Sequence, residues 1–376
     1  MNKTTTKNSD DQRILTAGQW RLMWRKFRRN RLALLCGWML LFMYLTILFS
    51  GFIAPYDPDF RFKGCIYVPP QGAHFFDDSG FGLRPFVYGL KAKLDTDSGR
   101  RIYSQDKTKR YPLKFFVDGQ EHSFLGIKTT WHLFGTESLR NDHGVFLFGT
   151  DKQGRDMFSR VLYGGRISLT IGLIGVLLSV CFGSVLGVVA GYFGGIIDNL
   201  IQRIIEILRS FPRIPLWLAL GAAIPADMGQ LQSYFMITVI LSILGWTGMA
   251  RSIRGQVMSL RDEEFIISAR LMGASRTRII FRHLFPAVSG YIIVVATIAV
   301  PGMILAESSL SFLGLGIRPP MVSWGSLLID CQNLMTLFYY QWLLLPAIFI
   351  IIVVFCYNFL GDGLRDAADP YSAARR

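Results

Sequence analysis

Glu264-Phe265-Ile266-Ile267-Ser268-Ala269-Arg270-Leu271-Met272-Gly273-Ala274-Ser275, running on through Arg276-Thr277-Arg278-Ile279-Ile280-Phe281-Arg282-His283-Leu284-Phe285-Pro286, is polar, helix-prone and set between two long apolar runs. Phe265, Ala269 and Gly273 recur every four residues, which places them on one helical face. That face carries an aromatic anchor followed by two small residues. A helix of this kind can lie close against another surface while its arginines reach round the rim. Gly273-Ala274-Ser275 suits a helix end, and Pro286 suits the first turn of the next helix.

Working outward, the runs on either side have the length and purity of membrane spans. The chain has 376 residues, 51% hydrophobic and only 18% charged, which is apolar for a soluble domain. The apolar residues are clustered into runs, the signature of a polytopic membrane protein. The net charge of +14 flanks these runs, so it is read as topology and attraction to anionic lipid. No nucleic-acid motif accompanies it. The five cysteines include no Cys-x-x-Cys pair, which argues against a metal or redox site. Cys36, Cys181 and Cys356 sit in apolar runs; Cys65 and Cys331, in loops placed outside, are the one candidate disulfide pair.

Residues 1–31 form a basic N-terminus, polar and expected to be disordered over its first dozen residues. Its arginines crowd the approach to residues 32–53, an uncharged run long enough to cross a bilayer. The run is longer than a signal-peptide core and no small-x-small site follows it, so it reads as an uncleaved anchor with a cytoplasmic N-terminus.

Residues 54–147 contain no spanning run, yet are too aromatic for disorder. They are expected to form a small β-rich or irregular external insert that caps the entrance, touches a binding protein or merely decorates the fold. Leu113–Val117, Asp118-Gly119 and Gln120–Leu125 read as a hairpin on an Asp-Gly turn. His74, His122, His132 and His143 lie in or near the insert without a strong metal spacing.

Five further spans are expected in residues 148–370, at about 168–190, 200–224, 231–250, 286–306 and 340–360. Gly183, Gly187 and Gly191 give the second span a small-xxx-small stripe, read as packing within this subunit. The third is irregular. Arg203, Glu206 and Arg209 lie in its first half, Glu206 and Arg209 could pair, and Pro212 and Pro215 interrupt it. Pro301-Gly302 is expected to kink or break the fifth. Short segments assigned inside, including the loop 251–285 and the tail 371–376, hold nearly all the arginines; short segments assigned outside hold Arg318 alone. Both termini are therefore expected inside.

No engine is visible. There is no Gly-x-x-x-x-Gly-Lys-Ser/Thr loop, and the clean spans lack the acidic or histidine relay of a proton carrier. No catalytic constellation appears either. An ion-coupled secondary carrier and a non-transporting membrane scaffold or sensor are the competing readings.

The opening stretch resembles the EAA loop of permease subunits of ABC importers. Ala269, Gly273 and Pro286 match that loop; Ile267-Ser268 stand where the family has its Glu-Ala. Three more segments resemble the oligopeptide/dipeptide (nickel) class: Phe148–Leu169, with Gly149, Thr150, Asp151, Gly154, Arg155, Asp156, Ser159 and Arg160; Ala306–Gly325, with Glu307, Ser309, Phe312, Gly314, Gly316 and Trp324; and Asn358–Pro370, with Gly361, Asp362, Arg365 and Asp366. The resemblance covers residues 148–370 and the first span. It implies an all-α polytopic membrane protein with the six transmembrane helices of the type I importer permease, in a bacterial inner membrane. It implies a sister permease, ABC ATPase subunits that hold the ATP, an extracytoplasmic solute-binding protein and a short peptide substrate. No cofactor is expected on this chain. Residues 262–275 would form the coupling helix, with Glu264, Phe265, Ser268, Ala269, Gly273, Ala274, Arg278 and Pro286 meeting the ATPase.

Overall fold

The computed structural model describes residues 19–77, 80–96, 99–124, 127–135, 144–225 and 227–368. The first span is α2, Arg31–Leu48, preceded by α1, Gln19–Phe27, and followed by the short α3, Ser50–Ile53. Asn30 starts α2 by accepting the Ala33 N–H at 3.1 Å. Helix α1, absent from the sequence reading, buries Met23 and Phe27 against Ala33 and Ala367 near the other end of the chain. Residues 1–12 lie outside the described residues.

The insert is β-rich, as expected. Strands β1, His74–Asp77, β2, Gly80–Leu94, and β3, Arg101–Pro112, form one antiparallel sheet in the order β1-β2-β3. Strands β4, Lys114–Phe124, and β5, Ile127–Gly135, form a separate antiparallel pair. Asp118-Gly119 is not the turn of this hairpin. It lies inside β4, where pairing jumps from Asp118↔Trp131 to His122↔Thr129. The glycine serves a bulge: a Cβ on Gly119 would stand 2.5 Å from the His132 ring that crosses it. His132 is buried between the Ala54 carbonyl, 2.6 Å from Nδ1, and the Gln120 carbonyl, 2.9 Å from Nε2. His143 lies outside the described residues, and among those described no metal-binding cluster occurs. Cys65 and Cys331 form no disulfide, nor do the other three cysteines. Cys36 and Cys356 are buried, whereas Cys181 is exposed.

The core begins with α4, Met157–Phe193, which takes in the second span and the later part of the signature ahead of it in one helix. It packs against α7, Gln230–Leu260. The glycine stripe lies in this interface: Cβ atoms on Gly183, Gly187 and Gly191 would stand 2.7 Å from Met249 Cβ, 2.6 Å from the Ala250 carbonyl and 2.8 Å from Val257 Cβ. The stripe is thus used within the subunit, as the spacing suggested.

The third span is divided. Residues 200–224 fall on α5, Gly195–Ser210, and α6, Arg213–Ala222, separated at Phe211-Pro212. Pro212 cannot continue the α5 ladder and instead caps α6. Ile201 and Ile205 form the buried edge of α5, while Ile196, Leu200 and Ile207 are exposed. Glu206 pairs with Arg203 at 2.9 Å, one turn back, rather than with Arg209. Among the described residues five helices are long and apolar enough to cross a membrane by length and composition, and α6 is a shorter apolar helix.

After α7 come α8, Glu264–Leu271, and α9, Arg276–Ile279. Helix α9 continues through a π-helical segment, Ile280–Leu284, into α10, Phe285–Phe312. Pro286 stands in the first turn of α10, as its sequence position suggests, although the π segment joins α9 to that helix. The wider π turn ahead of it relieves the clash a proline makes with the preceding turn. Pro301 also lies within α10, which continues unbroken to Phe312. The chain then passes α11, Trp324–Leu327, and α12, Leu334–Tyr339, before closing with α13, Leu345–Ala368.

Candidate functional site

The best-formed site is the turn between α7 and α10. Helix α8 ends in a paired hydrogen-bond motif: Ala274 N–H donates to the Ala269 carbonyl at 3.1 Å, and Gly273 N–H donates to that of Arg270 at 3.0 Å. This end requires a left-handed residue, and Gly273 supplies it at φ +79°. Ser275 then caps α9, accepting the Arg278 N–H at 3.3 Å.

Phe265, Ala269 and Gly273 do not share one outward face. Ile266 and Ala269 point inward, 0% and 3% exposed. Ile266 packs into a cluster with Val188 of α4, Met249 and Ile253 of α7, and Leu284 and Val288 around the start of α10. Phe265, Leu271 and Met272 point outward, at 46%, 83% and 81% exposure. Four-residue spacing drifts round a helix, and over an eight-residue helix the inward position passes from Ile266 to Ala269. Glu264, Ser268 and Arg278 are exposed, Ala274 is half-buried, and Pro286 is exposed beyond the π segment.

A brace supports the turn. Arg254 of α7 donates Nε and Nη2 to the two carboxylate oxygens of Asp198 on α5, each at 2.5 Å. Asp198 is 8% exposed. The sequence reading took Arg254 for one of the loop arginines; the structure places it inside α7, facing α5. Nothing in the sequence pointed to a partner 56 residues away. Between α4, α6, α7 and α10 lies a cavity of about 340 Å³, lined by apolar side chains with Arg213, Ser179 and Ser252.

The signature residues at the other end of the bundle form a clamp. Gly149 and Gly154 have φ of +76° and +75°, and a Cβ on either would stand 2.5 Å from a backbone carbonyl, of Val68 and Phe62. Thr150 donates its hydroxyl to the Cys65 carbonyl at 2.6 Å and accepts the Val68 N–H at 2.7 Å. Buried Asp151 accepts from Arg155 Nε at 2.7 Å and Arg160 Nη1 at 2.9 Å. Asp156 caps α4, accepting the N–H and hydroxyl of Ser159 at 2.8 and 2.7 Å. Burial pushes the Asp156 carboxyl up to about 7, against those bonds from Ser159.

Glu307, fully buried in α10, accepts the Ser168 hydroxyl at 2.9 Å and the Ser311 hydroxyl at 2.7 Å. Ser168 in turn accepts the Trp324 N–H at 3.1 Å, and Ser311 accepts the Ile317 N–H at 2.9 Å. The Trp324 indole donates to the Val161 carbonyl at 2.9 Å. One carboxyl thus gathers α4, α10 and the loop leading to α11. Exposed Ser309 bonds back to the Leu305 carbonyl, and the Phe312 carbonyl accepts from Gln332. Gly314 takes φ +81°, and Gly316 lies against Ser311 with no room for a Cβ. Gly361 lets α13 meet α10, since its Cβ would stand 2.6 Å from Ile298 Cγ1. Asp362, Arg365 and Asp366 are exposed on α13.

Comparison with known proteins follows this geometry. Residues 183–371 match the family described as binding-protein-dependent transport system inner membrane component. Residues 18–70 match the N-terminal TM domain of oligopeptide transport permease C. The chain is 43% identical to the oligopeptide transport system permease protein OppC of Haemophilus influenzae, over 64% of this chain and 75% of that one. It is 46% identical to OppC of Escherichia coli K12, over 59% and 72%. It is 44% identical to the dipeptide transport system permease protein DppC of Bacillus subtilis, over 76% and 92%. A solved structure of the MetNI methionine ABC transporter in an inward-facing conformation superposes at TM-score 0.44 and 21% identity, covering 56% of this chain and 97% of that chain.

Proposed function

The chain belongs to the family of inner membrane components of binding-protein-dependent transport systems, and from that premise we propose that it forms, with a sister permease, the path through which an ATP-driven importer takes up short peptides. The observation that carries this reading is the form of the α8 turn. Its inward residues pack against three membrane helices, while Phe265, Leu271 and Met272 are large apolar side chains left exposed among the described residues.

In this reading the turn is where separate ATPase subunits act. Leu271 and Met272 would enter a groove on the ATPase, each gaining about 1.5–3 kcal/mol on full burial. A push on α8 would reach α4, α7 and α10 together through Ile266, because side chains of all three meet in that cluster. The Asp198–Arg254 pair would carry α5 along. The glycine stripe keeps α4 and α7 in backbone contact, so they would rock as one body. The cavity beside Arg213 is then this subunit's share of the path. Both termini and the turn would face the cytoplasm. The insert would face the solute-binding protein that delivers the peptide. ATP would be held and hydrolysed by the partner chain, with no cofactor on this one. The chemistry of the turn does not depend on the family's Glu: Ile267 stands there and is 42% exposed, which changes the contact and leaves the wedge.

Gly273→Asp tests the reading. It places a side chain on a left-handed residue at the rim of the wedge, at a cost of about 1 kcal/mol to the helix end. ATPase co-purification and peptide uptake should both fall while the permease pair still co-purifies. Wild-type uptake with wild-type complex yield would refute the docking role.

A further inference from the structure

The β4–β5 hairpin is fastened to the end of the first membrane helix. Besides the His132–Ala54 bond, the His122 ring lies against Gly51, where a Cβ would stand 2.5 Å from it. The strand pair therefore has a fixed height relative to α2 and α3. In its register Asp118 pairs with Trp131 and Val117 with His132. Asp118 and Trp131 then share the face opposite His132, while Phe116 departs from the extended alternation and sets its ring beside Phe52.

The two rings are open, and the Asp118 carboxylate is exposed beside Trp131. Phe116 and Trp131 are 65% and 59% exposed. The Phe116 ring lies 6.2 Å from that of Phe52 on α3. The patch continues the outward side of α2, where Leu45 and Leu48 are 45% and 49% exposed. Phe116 is held at φ +56°, a conformation a bulky side chain avoids. Nothing within the described chain covers the ring that this conformation presents.

We propose that this hairpin face is an interfacial membrane anchor, with Phe116 and Trp131 seated in the headgroup layer of the lipid around the insert end of the first span. Lipid is the occupant because the patch is continuous with the side chains α2 turns outward along its length. Aromatic rings gather at that depth, with the ring in the acyl boundary and the indole N–H among headgroups. The anchor would fix the tilt of the insert over the mouth of the bundle. The inference rests on α2 crossing the membrane and not on what the complex transports.

The test is photo-crosslinking in the intact complex reconstituted into phosphatidylethanolamine/phosphatidylglycerol nanodiscs. The photoreactive p-benzoylphenylalanine replaces Trp131, and separately Phe116. Position Phe42 on α2 serves as the lipid-facing reference and Lys107 on β3 as the exposed polar one. Lipid adducts at 131 and 116 several-fold above those at 107, and comparable with those at 42, are expected. Adducts predominantly to the sister permease or the binding protein would overturn the anchor. So would lipid adducts no more abundant than at 107 while position 42 reports lipid.

Discussion

The two ends of the helix bundle treat their distinctive residues in opposite ways. At the insert end, Asp151, Ser159, Glu307 and Trp324 are buried and bonded to named partners within the chain. At the α8 end, Phe265, Leu271 and Met272 are exposed. The first end spends its side chains on holding itself closed. The second holds only its inward residues and leaves a wedge for something else. A recognisable stretch of sequence can therefore mark either an internal clamp or a contact, and burial separates the two.

The largest effect should come from breaking the clamp. Glu307→Ala strips the shared acceptor from the Ser168 and Ser311 hydroxyls, which leaves buried donors unpaired at about 1–3 kcal/mol each. Asp151→Ala leaves Arg155 and Arg160 partly buried without their carboxylate, at about 3–5 kcal/mol. Both variants should lower the melting temperature and yield of the purified complex. A fully stable Glu307→Ala complex with normal uptake would show that the network is dispensable.

Next comes Gly154→Ala. The added Cβ meets the Phe62 carbonyl, and the residue must keep φ +75°, so roughly 1–3 kcal/mol of strain is expected. Leu271→Asp at the other end should leave the melting temperature of the permease pair unchanged and abolish ATPase co-purification. A melting temperature lowered as far as in Gly154→Ala would erase the contrast between the ends.

Asp198→Asn sharpens the comparison, because the brace joins fold and function. It should leave the ATPase bound and lower uptake per ATP hydrolysed, as α5 no longer follows α7. Coupled uptake at the wild-type ratio would remove the brace from the transmission.

The remaining prediction concerns pH and Asp156. Its folded carboxyl is raised to about 7 from the ordinary 3.8. Between these values the folded chain keeps a proton that the unfolded chain has lost. Stability from this group therefore declines as pH rises through the window and is lowest above about pH 7. Asp156→Asn keeps the cap and removes the titration. The melting temperature of the wild type should fall relative to Asp156→Asn between pH 5 and 8, and parallel profiles would contradict the raised value.

The sequence spoke most clearly where the physics is local. Uncharged runs announced the long spans, four-residue glycine spacing announced the α4–α7 contact, and Gly273 announced a helix end. It was misleading where a local signal had been put to non-local use. Asp118-Gly119 has turn chemistry, but His132 from the neighbouring strand needs the space. Pro286 does stand in the first turn of α10, and what the sequence did not show there is the π segment that joins α9 to that helix. The Asp198–Arg254 brace and the Glu307 network join residues far apart along the chain, which no spacing rule connects. The coupling face was half legible: the segment was found, but which of its residues face inward depends on the cluster beneath.

Site-directed crosslinking from the wedge tests the central claim most directly. Met272→Cys in a cysteine-free complex, treated with a short thiol crosslinker, should join this chain to an ATPase subunit bearing a cysteine on its permease-facing surface, while Arg203→Cys on exposed α5 should not. A wedge that gives no ATPase adduct in a complex that still imports substrate would contradict the account, and coupling would have to pass through another part of the chain.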